Sequence, residues 1–127
     1  MRPKHLAISL SKLAPHPCEN VGLEQYATEG DLASYWMLAV DELDGFEEKS
    51  VADMGAGNGI LGIAALLLGA ARVVFVEIDP SAITVLEDNI ASLHTDLQAK
   101  AEVVCATVGV DDVPLDGVDI IVMNPPW

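Results

Sequence analysis

The stretch Val51-Ala52-Asp53-Met54-Gly55-Ala56-Gly57-Asn58-Gly59 constrains this chain more than any other, because an apolar strand runs straight into a turn with three glycines in five residues. Such a turn folds tightly, lets backbone approach a ligand and opens a helix. Two further features also stand at the ends of apolar strands. Glu77 closes Val73-Val74-Phe75-Val76, and Asn124-Pro125-Pro126-Trp127 follows Ile120-Ile121-Val122-Met123. In an open α/β sheet, ligands bind beyond the carboxyl ends of the strands. All three features are therefore expected along one rim.

Two frames fit the glycines. Gly55, Gly57 and Gly59 give GxGxG with Asp53 just upstream, whereas Gly57, Gly59 and Gly62 satisfy GxGxxG. The second frame suits a dinucleotide whose pyrophosphate lies on the helix N-terminus. Asp53 favours the first, since its carboxylate would repel a pyrophosphate yet can anchor a cofactor ammonium group. A tight turn without a ligand is the bland alternative, and Glu77 and the terminal motif weigh against it. The two Glu77 oxygens can accept both hydroxyls of a ribose. Asp79 lies on the same loop but directly before Pro80, and reads as a helix N-cap.

The prolines of the terminal motif fix φ and remove N–H donors, leaving carbonyls to face a substrate. The Asn124 side-chain carbonyl and the Pro125 carbonyl can each accept one hydrogen of an exocyclic amine. That takes the nitrogen lone pair out of ring conjugation and aims it at an electrophile, while Trp127 stacks on a flipped-out base. A proline turn that merely ends the strand is the alternative. Together the three features point to methyl transfer from S-adenosylmethionine onto an amine nitrogen.

The strands and helices alternate. A short helix is expected within residues 1–13, ended by Ala14-Pro15-His16-Pro17. Thr28 and Asp31 resemble a capping box that opens a helix to about Leu43, with Leu32, Trp36, Ala39 and Leu43 as its buried stripe. Strands are expected over Ser50–Met54, Arg72–Glu77, Glu102–Thr107 and Val118–Met123. Helices are expected over Leu61–Leu68, stopped by Gly69, and from Pro80 to about Leu93, with Ile83, Leu86, Ile90 and Leu93 facing the core. This order argues a parallel sheet with helices on both faces.

Composition narrows the class. A chain of 127 residues that is 51% hydrophobic can build one core and is not disordered. The longest apolar run, Ile60 to Ala71, contains two glycines and is too short to span a bilayer. No basic segment followed by an apolar stretch and a cleavage site opens the chain, so a cytoplasmic protein without membrane contact is expected. Cys18 and Cys105 lack metal-ligand spacing and read as reduced thiols.

Twenty acidic residues against six basic give a net charge of −14, which counts against nucleic acid as a partner. Two circumstances restore that partner: concentrated salt that screens the charge, or a positive surface on another segment or subunit. Arg2, Lys4 and Lys12 stand with His5 in the first twelve positions. They form either a phosphate-contacting arm or the solvated face of a helix.

The residues quoted so far resemble class I S-adenosylmethionine-dependent methyltransferases of the NPP(F/Y/W) type. Within these they are most similar to the archaeal and eukaryotic adenine-N6 methyltransferases of small-subunit ribosomal RNA. Leu23-Glu24-Gln25-Tyr26-Ala27-Thr28 is similar to that family's LEQYxT segment. Ala52 to Leu61, Val76-Glu77-Ile78-Asp79 and Val122-Met123-Asn124-Pro125-Pro126 also resemble it.

The resemblance implies an α/β Rossmann-like fold with a parallel sheet in the order 3-2-1-4 and the C-terminal strands missing. Residues 1–30 would be an N-terminal helix and cofactor-capping segment, and residues 31–127 the methyltransferase core. Gln25 and Thr28, with Tyr26 between them, would hold the methionine end of the cofactor. Gly55, Asn58, Gly59 and Ile60 would line its bed. Thr107 stands where the family carries an Asp for the adenine amino group, with Asp111 as a substitute.

The family continues with a helix and three strands, so an apolar fourth strand is left here as an open edge that a second chain would cover. A small zinc-binding activator subunit at strand three is a further implied partner. The implied activity is methylation of an adenine N6 in RNA, with Asn124, Pro125, Pro126 and Trp127 holding the base. The alternatives are a protein glutamine N5-methyltransferase of the release-factor type, or a cofactor-binding domain without turnover.

Overall fold

The computed structural model describes residues 3–14, 29–43, 45–113 and 115–123. The two most continuous apolar runs form strands with the bounds their residues set: β1 is Ser50–Met54 and β2 is Arg72–Glu77. β3 (Ala101–Cys105) and β4 (Ile120–Met123) are shorter than expected. Local bonds take Thr107 and Val118 out of the ladder. The Thr107 N–H donates to the Asp111 carboxylate at 2.7 Å, and the Val118 N–H donates to the Leu115 carbonyl at 3.1 Å. All pairings are parallel and the strand order is β3-β2-β1-β4.

Among the described residues the helices are α1 (Pro3–Ser11), α2 (Glu29–Leu43), α3 (Ile60–Leu67), α4 (Pro80–Ala91) and the short α5 (Thr95–Gln98). Gly69, at φ +102°, follows α3 and closes it with an N–H bond to the Leu66 carbonyl. The Asp79 carboxylate caps α4 by accepting from the Ser81 N–H at 3.0 Å, with Pro80 as the first helical residue. α4 stops two residues before the expected Leu93, where the Leu93 N–H turns back to the Ile90 carbonyl.

Among the described residues, helices cover one face of the sheet and a connecting segment covers the other. On one face Val51, Val73 and Phe75 pack with Leu6 and Leu10 of α1, Met37 of α2, Ile63 and Leu66 of α3 and Leu86 of α4. On the other, Ala52, Met54, Val74 and Val76 are covered by Ala106, Val113, Leu115 and Val118 from the β3–β4 connection. The order explains the asymmetry. The crossovers from β1 to β2 and from β2 to β3 step in the same direction, and right-handed crossovers then place α3 and α4 on one face. Among the described residues, the β3–β4 connection carries no helix.

The stripe assigned to α2 is corrected. Trp36 and Ala39 are exposed and Leu43 is 84% exposed, while Ala33, Ser34 and Met37 are buried and Leu38 and Val40 half-buried. Leu32 carries no side-chain description. Two apolar stripes lie side by side on this helix, one residue or about 100° apart. The one with smaller members meets α1 and α3. Of the expected core face, Leu86 is buried and Ile83, Ile90 and Leu93, the last beyond the end of α4, are half-buried, while Ala82 and Asn89 are buried on the helix as well. Among the described residues no helix is long and apolar enough to cross a membrane.

Helix α3 lies so close to the sheet that a Cβ at Gly62 would come within 2.3 Å of Phe75 Cε1. Alanine normally favours a helix interior over glycine by up to about 1 kcal/mol. Here the clash with a buried ring reverses the sign, and Gly62→Ala is expected to cost about 2 kcal/mol in urea denaturation. Phe75→Leu in the same chain should recover part of that loss. A stabilising Gly62→Ala would show that the ring is not packed against α3.

Candidate functional site

The register brings four strand ends to one rim. Met54 pairs with Val76 on one side and with Met123 on the other, and Glu77 pairs with Cys105. Gly55, Glu77 and the residues after Cys105 therefore emerge together, and β4 ends with Met123 beside Met54. The Gly55 and Ala56 N–H groups donate to the Val76 carbonyl at 2.8 and 2.9 Å, fastening the turn to the end of β2.

Glu77 joins the two loops. Its Oε1 accepts from the Gly57 N–H at 2.7 Å, and its Oε2 accepts from the Ile78 and Asp79 N–H groups at 3.0 Å each. A carboxylate offers about four acceptor directions, so a diol arriving at the rim shares Glu77 with the glycine turn. Gly55 sits at φ +75°, and a Cβ there would meet nothing within 4 Å. This glycine is required by its backbone angle, and no described residue crowds it. A half-buried carboxylate aimed at a side-chain-free stretch of backbone fits a nucleoside.

The expected cofactor residues divide into two groups. Gly55, Gly57, Glu77 and Thr107 lie at least partly open on the rim, while Asp53, Asn58, Gly59 and Ile60 are buried. At Gly59 a Cβ would strike Leu86 Cδ1 at 2.3 Å, and at Gly62 it would strike Phe75. The third glycine of either frame thus serves packing, Gly59 against α4 and Gly62 against β2. Thr107 and Asp111 come together after β3, where the Asp111 carboxylate takes the Thr107 N–H at 2.7 Å. The position where the resemblance asks for an Asp therefore has a carboxylate beside it, supplied from four residues on. Gln25, Tyr26, Thr28, Asn124, Pro125, Pro126 and Trp127 lie outside the described residues, as does Cys18. Cys105 is a free, exposed thiol on β3.

Asp53 does not take the place the sequence suggested. Strand side chains alternate, and Asp53 shares the helical face with Val51. It is 1% exposed and accepts from the Gly62 N–H at 2.9 Å, in the first turn of α3. The carboxyl caps a helix from a neighbouring strand rather than opening toward a ligand ammonium group. Burial pushes its pKa up to about 7, the Gly62 hydrogen bond opposes the rise, and the Glu77 charge adds to it.

Sequence reasoning missed two residues. Ile78 follows Glu77 on the rim and is 50% exposed, an apolar surface beside the carboxylate. Asn89 is buried and binds the turn from α4. The signal for Asn89 was present, as a polar residue on a stripe otherwise made of Leu86, Ile90 and Leu93.

Residues 35–125 match the family described as ribosomal protein L11 methyltransferase (PrmA). The rRNA N(6)-adenosine-methyltransferase metl-5 of Caenorhabditis elegans is 33% identical over 93% of this chain and 56% of its own length. The ribosomal protein L11 methyltransferase of Aeromonas hydrophila is 56% identical, but over 41% of this chain and 18% of its own. The crystal structure of a candidate RNA methyltransferase from Pyrococcus horikoshii superposes with a TM-score of 0.80. It is 42% identical and covers 98% of this chain and 60% of that one. The chain thus spans little more than half the length of the relatives that match it most fully.

The raised Asp53 carboxyl has a measurable consequence. Its folded pKa of about 7 lies above the ordinary 3.8, so the folded state holds an extra proton between those values. Raising the pH through this window lowers stability, and the loss is complete above it. Asp53→Asn has no proton to release. Its stability relative to the parent should therefore rise between pH 4 and pH 7 in urea denaturation. A difference that stays constant with pH would mean that Asp53 is ionised throughout.

Proposed function

The chain belongs to the ribosomal protein L11 methyltransferase (PrmA) family, and from that premise we propose an S-adenosylmethionine-dependent N-methyltransferase whose acceptor is the N6 amino group of an adenine in RNA, with ribosomal RNA the favoured source. One observation carries the reading. β1 and β4 pair with Met54 opposite Met123, so the turn that would hold the donor and the motif that would hold the acceptor leave adjacent strands at the same rim.

When bound, the cofactor supplies an electrophilic methyl group on a sulfonium. The chain's own residues do the rest by positioning. Glu77 accepts from the ribose hydroxyls, the Gly55–Gly57 backbone lies along the cofactor, and Ile78 offers an apolar seat for its purine. Thr107, with Asp111 beside it, is assigned to the adenine amino group of the cofactor. Gln25, Tyr26 and Thr28 are assigned to the methionine end. Asn124 and Pro125 are assigned to the two hydrogens of the acceptor amine, and Pro126 and Trp127 to the base. The nitrogen needs no strongly basic residue, since its proton leaves to solvent after the methyl has moved.

The RNA acceptor is favoured by the length of the likeness: the adenosine methyltransferase aligns over 93% of this chain, the L11 methyltransferase over 41%. A protein acceptor, such as a glutamine amide, is the second reading, favoured by the net charge of −14. The proposed setting is the cytoplasm. In the described sheet β3 and β4 are the edges, and Ile121 and Met123 are exposed on β4. A zinc-binding activator at β3 and a second copy at β4 are the proposed partners for these edges.

Transfer of labelled methyl to ribosomal RNA, compared with transfer to ribosomal proteins and release factors, tests the acceptor. Label in protein alone would overturn the RNA reading. Asn124→Ala should lower transfer at least about 100-fold, with the cofactor dissociation constant changed less than about twofold, because it removes an interaction with the reacting amine only. Glu77→Ala should do the reverse, weakening cofactor binding measured by calorimetry about tenfold or more. Retained turnover in Asn124→Ala would remove that residue from the mechanism.

A further inference from the structure

Asn89 is a buried polar side chain that the chemistry above does not use, 4% exposed on the inner face of α4. Its Oδ1 accepts from the Ala14 N–H at 2.8 Å. Its Nδ2 donates to the Ala14 carbonyl at 3.0 Å and to the Asn58 carbonyl at 2.9 Å. Asn58, equally buried, donates from its own Nδ2 to the same Ala14 carbonyl at 3.0 Å and accepts the Ile60 N–H at 3.3 Å. The orientation of the Asn89 amide is fixed by its partners: only Oδ1 can accept the Ala14 N–H, and both Nδ2 hydrogens are committed. Three parts of the chain meet here: the residues after α1, the glycine turn and α4.

Such a network is costly to bury unless every group in it is paired. A leucine at position 89 would continue the apolar stripe of α4 without that cost, so the amide is there for what it positions. Through the Asn58 carbonyl it pins the middle of the turn, between Gly57 at φ +57° and Gly59 at φ +88°. That conformation points the Gly57 N–H at the Glu77 carboxylate.

We propose that Asn89 is a positioning residue for cofactor binding: it holds the glycine turn and the Ala14 peptide in one arrangement, so that the bed between Gly57 and Glu77 is formed before the cofactor arrives. The proposal rests on the reading of that turn as the S-adenosylmethionine bed. Without the amide the turn samples other conformers, and apparent affinity falls by the fraction that remains competent.

The test compares Asn89→Ala with Ile90→Ala, a neighbouring half-buried change that touches no polar group of the turn. Asn89→Ala should raise the dissociation constants of S-adenosylmethionine and S-adenosylhomocysteine about tenfold, as expected for two or three lost hydrogen bonds. Turnover at saturating cofactor should change less than about threefold, since the reacting groups are untouched. Ile90→Ala should lower the melting temperature comparably and leave both constants near the parent values. Amide exchange at Gly57 and Ile60 should accelerate in Asn89→Ala and not in Ile90→Ala.

Parent-like affinity in Asn89→Ala, or equal weakening in both variants, overturns the proposal. If the parent binds neither ligand, the cofactor reading fails instead; amide exchange then decides, and unchanged protection of Gly57 and Ile60 overturns the positioning role. Asn89→Ser keeps one donor and replaces the alanine variant should that fail to fold. Failure of both to fold would mark Asn89 as structural only and overturn the proposal.

Discussion

Three positive φ angles within five residues, +75° at Gly55, +57° at Gly57 and +88° at Gly59, are not held by local preference. Glycine reaches such angles without strain but loses much chain entropy in adopting one of them. The contacts that hold this turn therefore organise the molecule around it. The Val76 carbonyl takes the Gly55 and Ala56 N–H groups, Glu77 takes the Gly57 N–H, and Asn89 takes the Asn58 carbonyl. β2 and α4 both terminate their own order in bonds to the turn. Among the described residues, the same set of bonds leaves Gly55 exposed at the rim.

The turn also decides where a carboxylate is buried. A helix needs acceptors for its first N–H groups, and the usual supplier is a Ser, Asp or Asn at the N-cap. At the N-cap of α3 stands Gly59, which makes no side-chain bond. Any side chain there would strike Leu86 and face a φ of +88°. The cap comes instead from the adjacent strand, where Asp53 reaches the Gly62 N–H. Its burial raises the pKa of the carboxyl and places it near the Glu77 charge. The tight approach of α3 to the sheet and the buried acid are thus two sides of one packing solution.

This logic marks where the sequence could be read and where it could not. β1, β2 and the Asp79-Pro80 start of α4 were legible, because each is specified within a few neighbouring residues: an apolar run, a glycine stop, a cap before a proline. The rim was legible too, since Glu77 and the turn both end strands of a parallel sheet. The role of Asp53 was not, because adjacency in sequence to a glycine loop suggested a ligand, whereas strand parity sent the side chain to the other side. The buried face of α2 depends on which of two neighbouring stripes meets α1 and α3, a choice made by packing. Asn89 was hidden for the same reason: its partners lie 75 and 31 residues away. Local rules describe elements well and contacts between distant elements poorly.

The distribution of charge bears on the acceptor more than its sum does. At physiological salt an exposed charge is felt over roughly 8 Å, so a net value of −14 says little about a particular approach to the rim. Lys4 and His5 are exposed on α1 and Lys12 directly after it. Two residues on, Ala14 is bonded to Asn58 and Asn89. The network that pins the turn therefore also tethers a short cationic stretch within a few residues of the rim. On the opposite flank, Asp111, Asp112 and Asp116 lie on the exposed β3–β4 connection. Lys12 is two residues from this network, while α2, packed against α1, carries Asp41 and Glu42. On the proposed RNA reading, Ala14 thus connects the residues that would receive the phosphate backbone to the turn that would hold the methyl donor, which gives the buried asparagines a second consequence at no additional contact.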